Sequence, residues 1–213
     1  MVPRIKLNDG HEIPQLGFGV WKAGAGECYK AVRAALDAGY RQIDTARIYG
    51  NEEDVGRAIR ESGLPRSEIY VTTKLWNTDQ ARAETAFAGS LERLGLDYID
   101  LYLIHFPVTK SRAAAWQALE QIHASGKARS IGVSNYMPKH LDELLATAKV
   151  KPVVNQIELH PWLSQTELKT YCESRGIRIE AYSPLAHGQK VEDVSLKPLA
   201  ERYGKSVAQI LLR

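Results

Sequence analysis

Apolar positions along the chain follow two rhythms that take turns. Short runs dense in β-branched and aromatic residues read as strands: LGFGVWK (16–22), RQIDTA (41–46), IYVTTKLW (69–76), IDLYLIHF (99–106), ARSIGVSN (128–135), VVNQIELH (153–160) and IRIEAYSPL (177–185). Between them, ECYKAVRAALDAG, NEEDVGRAIRESG, ARAETAFAGSLERLG, RAAAWQALEQIHASGK, PKHLDELLATAK and QTELKTYCESRG repeat apolar residues at three- and four-residue steps, as Val32, Ala35, Leu36 and Gly39 do. Several of these helical segments stop at a glycine (Gly39, Gly63, Gly95, Gly126, Gly176), where a left-handed cap is needed. Ahead of the alternation, Arg4–Leu7 and His11–Ile13 flank Asn8-Asp9-Gly10 and predict a β-hairpin. The last segment, Leu196 to Arg213, reads as one helix packing Leu199, Tyr203, Val207, Ile210 and Leu211.

Strands alternating with helices predict parallel pairing through right-handed crossovers. An open doubly wound sheet and a closed (β/α)8 barrel both satisfy that pattern. The open nucleotide-binding sheet calls for G-x-G-x-x-G after its first strand. Gly24-Ala25-Gly26-Glu27-Cys28-Tyr29 has tyrosine at the last glycine position, and Gly17-Phe18-Gly19 runs into Val20-Trp21-Lys22. Seven units of similar length favour the barrel, as a single domain over residues 1–213 with residues 1–15 as a hairpin cap.

Composition adds little to this picture. The 213 residues are 44% hydrophobic and 25% charged, ordinary for a globular protein. Lys and Arg exceed Asp and Glu by 28 to 25 without a dense basic run, which argues against nucleic acid as a partner. Cys28 and Cys172 lie far apart and form no metal or redox spacing, and no metal site is expected. No signal-like or membrane-length apolar run appears, so a soluble, cytoplasmic protein is expected, with no membrane partner.

The polar residues inside the apolar runs carry the chemistry. Asp44, Lys74, His105, Ser134 with Asn135, Gln156 with Glu158 and His160, and Tyr182 with Ser183 all fall towards the C-terminal ends of successive strands. In a barrel those ends converge on the face where active sites are built. Just beyond Asp44, in QIDTARIYGNEE, stands Tyr49. Asn51 there suits a helix N-cap, and Glu52 and Glu53 suit the positive end of that helix, which leaves Asp44 and Tyr49 to be explained. A phenol is a poor acid, with a pKa of ~10. An ammonium ~4 Å away at an effective dielectric of ~20 attracts the phenolate by about 4 kcal/mol, enough for up to roughly three pKa units. Asp44 would hold Lys74 in place while weakening part of that shift. His105 could orient a carbonyl oxygen with an imidazole N–H, so the set suits proton donation to a carbonyl that receives a hydride from its other side. A structural Asp44–Lys74 ion pair with Tyr49 as a rim aromatic is the alternative.

Asp44-Thr45-Ala46 with Tyr49-Gly50-Asn51-Glu52, Lys74 in VTTKLW and His105 in LYLIHFP together resemble the aldo-keto reductase family. The resemblance continues through Ile131-Gly132-Val133-Ser134-Asn135, Asn155-Gln156-Ile157-Glu158 and Ala181-Tyr182-Ser183-Pro184-Leu185, in the family's order over the whole chain. It looks closest to bacterial and plant-type reductases of small sugars, keto-aldehydes and related carbonyls, of diketogluconate or methylglyoxal type. It implies a (β/α)8 barrel using NADPH without a Rossmann fold, with Tyr49 as general acid, Lys74 and Asp44 tuning it and His105 orienting the carbonyl. It further implies that Ser134, Asn135 and Gln156 hold the nicotinamide carboxamide, that Tyr182 stacks on the ring, and that Ser183 and Leu185 belong to the cofactor site. Trp21 and Phe106 are expected to wall the substrate pocket, with core packing as the alternative. The family often has tryptophan where this chain has Phe106, which bears on substrate shape.

The strand pattern ends after the seventh β/α unit. By resemblance, an eighth strand ending in Lys-Ser and a later arginine would grip the adenosine 2′-phosphate, and a C-terminal loop would shape the pocket. The chain is therefore expected to be part of a longer parent, to hold NADPH only loosely by itself, and to associate through open strand edges, whereas a full-length barrel is expected to be a monomer. The alternatives are an inactive fragment, a shortened barrel completed by a partner chain, and a non-catalytic cofactor-binding module.

Overall fold

The hairpin forms where Asp9-Gly10 lets the chain reverse: β1 (Arg4–Lys6) pairs antiparallel with β2 (Glu12–Pro14), Ile5 opposite Ile13. The computed structural model describes residues 2–191 and 193–213; Met1 and Glu192 lie outside it. After the hairpin, strand and helix alternate as β3 (Phe18–Gly19), α1 (Glu27–Asp37), β4 (Gln42–Asp44), α2 (Glu52–Arg60), β5 (Tyr70–Leu75), α3 (Ala83–Leu94), β6 (Ile99–Ile104), α4 (Arg112–Ala124), β7 (Ala128–Ser134), α5 (Pro138–Leu145), β8 (Val154–Glu158), α6 (Thr166–Ser174) and β9 (Arg178–Tyr182). The five glycines that end helical segments all take positive φ, between 60° and 95°.

Strands β3 to β9 pair in chain order, each parallel to the next, as a nearly closed barrel. Among the described residues, β3 pairs only with β4 and β9 only with β8. Period-two alternation separates two cores. Leu101 and Leu103 of β6 join Tyr70, Val153, Val154 and the hairpin's Leu7 and Ile13 in an inner cluster. Tyr102 and Ile104 pack outward with helix residues such as Val32, Phe87, Trp116 and Leu141. The hairpin therefore plugs the interior with apolar side chains. On the outer layer α2 crosses α3 so closely that a Cβ on Gly56 would lie 1.8 Å from the Leu94 carbonyl oxygen.

Register decides where the polar residues meet. Gly19 pairs with Asp44, Asp44 with Thr72, Lys74 with Leu103, Ser134 with Gln156, and Glu158 with Tyr182. The strand ends are thus level, and their side chains share one rim.

Two expectations fail on detail. The run 16–22 contributes only the two residues of β3 to the sheet, because the chain turns at once: Val20 N–H bonds to Asp44 O at 3.0 Å and Lys22 takes φ 65°. The single helix over Leu196–Arg213 is instead two short ones, α7 (Lys197–Tyr203) and α8 (Val207–Leu211). Gly204, at φ 59°, ends α7, and Ser206 begins α8 by accepting from Gln209 N–H while the Gln209 side chain accepts from Ser206 N–H. The local capping chemistry overrides the three- and four-residue period. Leu199 and Tyr203 are exposed, Leu211 is buried as expected, and Ala200 is buried in place of the first two.

Candidate active site

β4 ends at Asp44, and the chain leaves through Thr45 and Ala46 into a 3₁₀ turn, Arg47–Tyr49, closed by Gly50 at φ 68°. That turn sets Tyr49 over the end of β5. Two neighbouring residues anchor it. The Asn51 side chain accepts from Thr45 Oγ1 at 2.8 Å and donates to Val20 O at 2.9 Å, so it fastens the loops together and does not cap α2. Glu52, 1% exposed, accepts from Thr73 Oγ1 at 2.6 Å and from Arg93 Nε at 2.7 Å, so it too serves a buried network and not the helix end. Both corrections have one cause: α2 starts inside the protein, where unpaired polar groups must find partners. Glu53, in the first turn, remains exposed.

Lys74 is wholly buried, with its Nζ 2.5 Å from Asp44 Oδ1 and 3.0 Å from Thr45 O. The same ammonium lies 5.2 Å from the centre of the Tyr49 ring. Burial works against the charge, but Asp44 and Tyr49 outweigh it and leave the Lys74 pKa above its ordinary value. Tyr49 behaves differently from the simple two-charge estimate. Burial raises its pKa more than Lys74 lowers it, and Asp44 pushes it further up, so the phenol is protonated across the neutral range. Its proton is available to a developing oxyanion, with Lys74 positioned to receive the resulting phenolate charge.

His105 sits beside this pair, its ring 5.9 Å from that of Tyr49 and nearly perpendicular. Burial, with Lys74 adding to it, lowers its pKa to about 3, so the imidazole is neutral and carries one N–H. Nδ1 is buried without a partner. An orphaned acceptor is cheaper than an orphaned N–H, so the hydrogen belongs on Nε2. Phe106 stacks on this imidazole at 5.2 Å, and Trp76 meets its edge at 5.2 Å.

The next strand ends adjoin the same site. Gln156 donates to Asp44 Oδ2 at 2.8 Å and accepts from Ser134 Oγ through its carbonyl, also at 2.8 Å. Asn135, at φ 62°, donates to the His105 carbonyl at 3.0 Å and accepts from the Tyr182 hydroxyl at 3.0 Å. Asparagine tolerates that left-handed backbone better than most residues. Ser134, Asn135, Gln156 and Tyr182 are thus one hydrogen-bonded group joined to Asp44 and His105. Ser183 and Leu185 follow on the mouth loop. There Ser183 Oγ lies 3.2 Å from His187 Nδ1, and His187 Nε2 is 3.0 Å from Glu158. Glu158 and His160 form a rim pair outside the central group, 3.4 Å apart. Trp21, 52% exposed, meets the edge of His187, and Phe106 is 38% exposed, so neither fills the core.

Trp76, Gln42, Glu180 and His187 had no place in the sequence reading. Trp76 follows a strand end directly, and the period-two rule places Gln42 with Asp44 and Glu180 with Tyr182 on the inner face, so the signal was there. His187 had none, since its loop contacts are set by tertiary packing. Among the described residues no group of three or more His, Cys, Asp or Glu is arranged to hold a metal ion, and no helix is long and apolar enough to cross a membrane.

The family model of the Aldo/keto reductase family matches residues 15–213. A glyoxal reductase of Bacillus subtilis is 51% identical over 98% of this chain and 77% of its own length. The crystal structure of an aldo/keto reductase from Brucella melitensis superposes with a TM-score of 0.95 at 50% identity, covering 100% of this chain and 84% of that one. A Bombyx mori aldo-keto reductase solved in complex with NADP superposes with a TM-score of 0.90 at 40% identity, covering 99% of this chain and 78% of that one.

Proposed function

The chain belongs to the aldo/keto reductase family, NADP-dependent oxidoreductases that reduce carbonyls, and on that footing we propose that it reduces small aldehydes and ketones with Tyr49 as the proton donor. The observation that carries this reading is the buried Lys74–Asp44 pair at 2.5 Å beneath a protonated phenol, with a neutral imidazole alongside. His105 Nε2–H donates to the carbonyl oxygen and fixes its lie against Tyr49. As negative charge grows on that oxygen, the Tyr49 O–H bond breaks and the new O–H bond of the alcohol forms. Lys74 stabilises the phenolate left behind, and Asp44, held by Gln156, keeps the ammonium in place.

The donor set fits the nicotinamide cofactor. Ser134, Asn135 and Gln156 present hydroxyl and amide groups suited to a carboxamide, and Tyr182 offers an aromatic face beside them. When bound, the reduced nicotinamide supplies the hydride. Tyr182 would fix the ring plane and the amide side chains its rotation, which selects the face presented to the substrate. Ser183 and Leu185 would bound the cofactor on the mouth loop.

Trp76 and Phe106 meet edge to face beside His105, and Trp21 lies exposed against His187, an aromatic lining suited to compact carbonyls. A dicarbonyl such as glyoxal suits it, in keeping with the similarity to the glyoxal reductase of Bacillus subtilis. The test is NADPH oxidation against a panel of small aldehydes and ketones. Turnover with compact carbonyls is expected, and cofactor binding without turnover on any of them would replace this reading by the binding-module one. Trp21→Ala should raise KM roughly tenfold or more, as lost apolar contacts in a pocket do. Its cost in thermal stability should stay well under the ~3–5 kcal/mol of a buried tryptophan. Unchanged KM with a large stability loss would make Trp21 a packing residue.

A further inference from the structure

Glu180 lies on the inner face of β9, two residues before Tyr182, and takes no part in the steps above. Its Oε1 accepts a 2.7 Å hydrogen bond from Gln42 Nε2, while its Oε2 is buried without a partner. Gln42 precedes Asp44 by two residues on β4, so this bond runs through the interior from the last strand of the sheet to the second. In register beside Glu180 on β8 is Gln156, whose side chain donates to Asp44 at 2.8 Å. Two side-chain bridges therefore cross from the β8–β9 side to β4, one ending on Asp44 and the other two residues from it. The titratable groups facing Glu180 are Asp44 from β4 and Lys74 and Tyr70 from β5, and β8 offers the neutral Gln156 amide. A carboxylate oxygen with no donor in the interior favours the protonated acid.

Resting on Tyr49 as the proton donor, we propose that Glu180 is a positioning residue for the reduction: through Gln42 it holds the Asp44 strand against the strands carrying Gln156 and Tyr182, and its proton keeps the Lys74 charge available to Tyr49. Burial and the Asp44 charge raise the Glu180 pKa to about 7, so the acid is neutral below that pH and ionised above it. Once ionised, Glu180 places a second carboxylate beside Lys74, which competes for the ammonium and makes the Tyr49 phenolate harder to form. Turnover should therefore fall as pH rises through about 7.

The experiment measures kcat with a small aldehyde and NADPH from about pH 5 to pH 9 for the native chain, Glu180→Gln and Gln42→Ala. Carbon NMR of carboxyl-labelled glutamate on the same proteins reads the titration without activity. The native chain should show one glutamate carboxyl titrating near neutrality, absent in Glu180→Gln and shifted in Gln42→Ala. Its kcat should drop about tenfold through that midpoint, and the drop should vanish in Glu180→Gln. An identical descending limb in Glu180→Gln, or no glutamate carboxyl titrating near neutrality, overturns the inference. Should Glu180→Gln fail to fold, an unshifted titration in Gln42→Ala overturns it equally. Turnover that survives Tyr49→Phe removes the proton-donor reading and this inference with it. Turnover that needs Tyr49 but ignores Glu180 removes this inference alone.

Discussion

Tyr49→Phe is expected to lower kcat by ~10²–10³, the usual worth of a general acid, while the affinity for NADPH stays near native. The substitution removes one oxygen from a half-buried ring and leaves the Lys74–Asp44 pair, the His105 imidazole and the Ser134–Asn135–Gln156–Tyr182 group untouched. Its effect should therefore fall on the proposed proton transfer, and not on the proposed cofactor contacts, which lie on other strands. The structure adds a condition to this expectation. Burial holds the Tyr49 pKa above that of a free phenol, so in the proposed step the residue would serve as an acid because Lys74 would stabilise its conjugate base as the proton leaves, and not because the resting phenol is already acidic. Steady-state kinetics on a small aldehyde, with fluorescence titration of NADPH, measure both quantities. Near-native kcat in Tyr49→Phe would require another donor.

Lys74→Met should destabilise the fold strongly. The ammonium is wholly buried and is shared between Asp44 Oδ1 at 2.5 Å and the Thr45 carbonyl at 3.0 Å. Methionine fills the same space but leaves Asp44 inside the barrel with the Gln156 amide as its remaining side-chain donor. Removing one partner of a buried ion pair costs about 3–5 kcal/mol, most of it the penalty of the stranded charge. Adding Asp44→Asn to Lys74→Met should therefore restore much of the lost stability, because a neutral amide replaces that charge. Turnover should not return with it, since the phenolate of Tyr49 still lacks a counter-charge. Denaturant melts of the native chain, the single and the double variant report the first effect, and kcat reports the second. A single variant as stable as the native chain would show that the pair does not carry the fold, and a double variant that recovers turnover would show that it does not tune the phenol.

Much of this site is legible in the sequence. Period-two and three-to-four-residue rhythms place each strand and most helices, because burial on one face or two leaves that imprint on any chain. The polar residues at the ends of successive strands mark one rim, because parallel strands in chain order bring those ends together. Asp44, Tyr49, Lys74 and His105 stand out since polar groups seldom close an apolar run without a partner. The break between α7 and α8 was also written locally, in Gly204 and the Ser206–Gln209 capping pair, and the apolar period concealed it.

Tertiary structure alone decided the rest. Asn51 and Glu52 have the types and positions of helix-start residues, yet the fold buries them and turns their side chains to Thr45, Val20, Thr73 and Arg93. The sign of the Tyr49 shift depends on how much protein surrounds the ring, a quantity that no local pattern carries. The Gln42–Glu180 bond joins residues 138 positions apart. Sequence records which side chains must leave water and at what spacing. Which of them then meet, and which must share one proton or one ammonium, follows from the curvature of the sheet and the dryness of its interior, and these exist only once the chain has closed on itself.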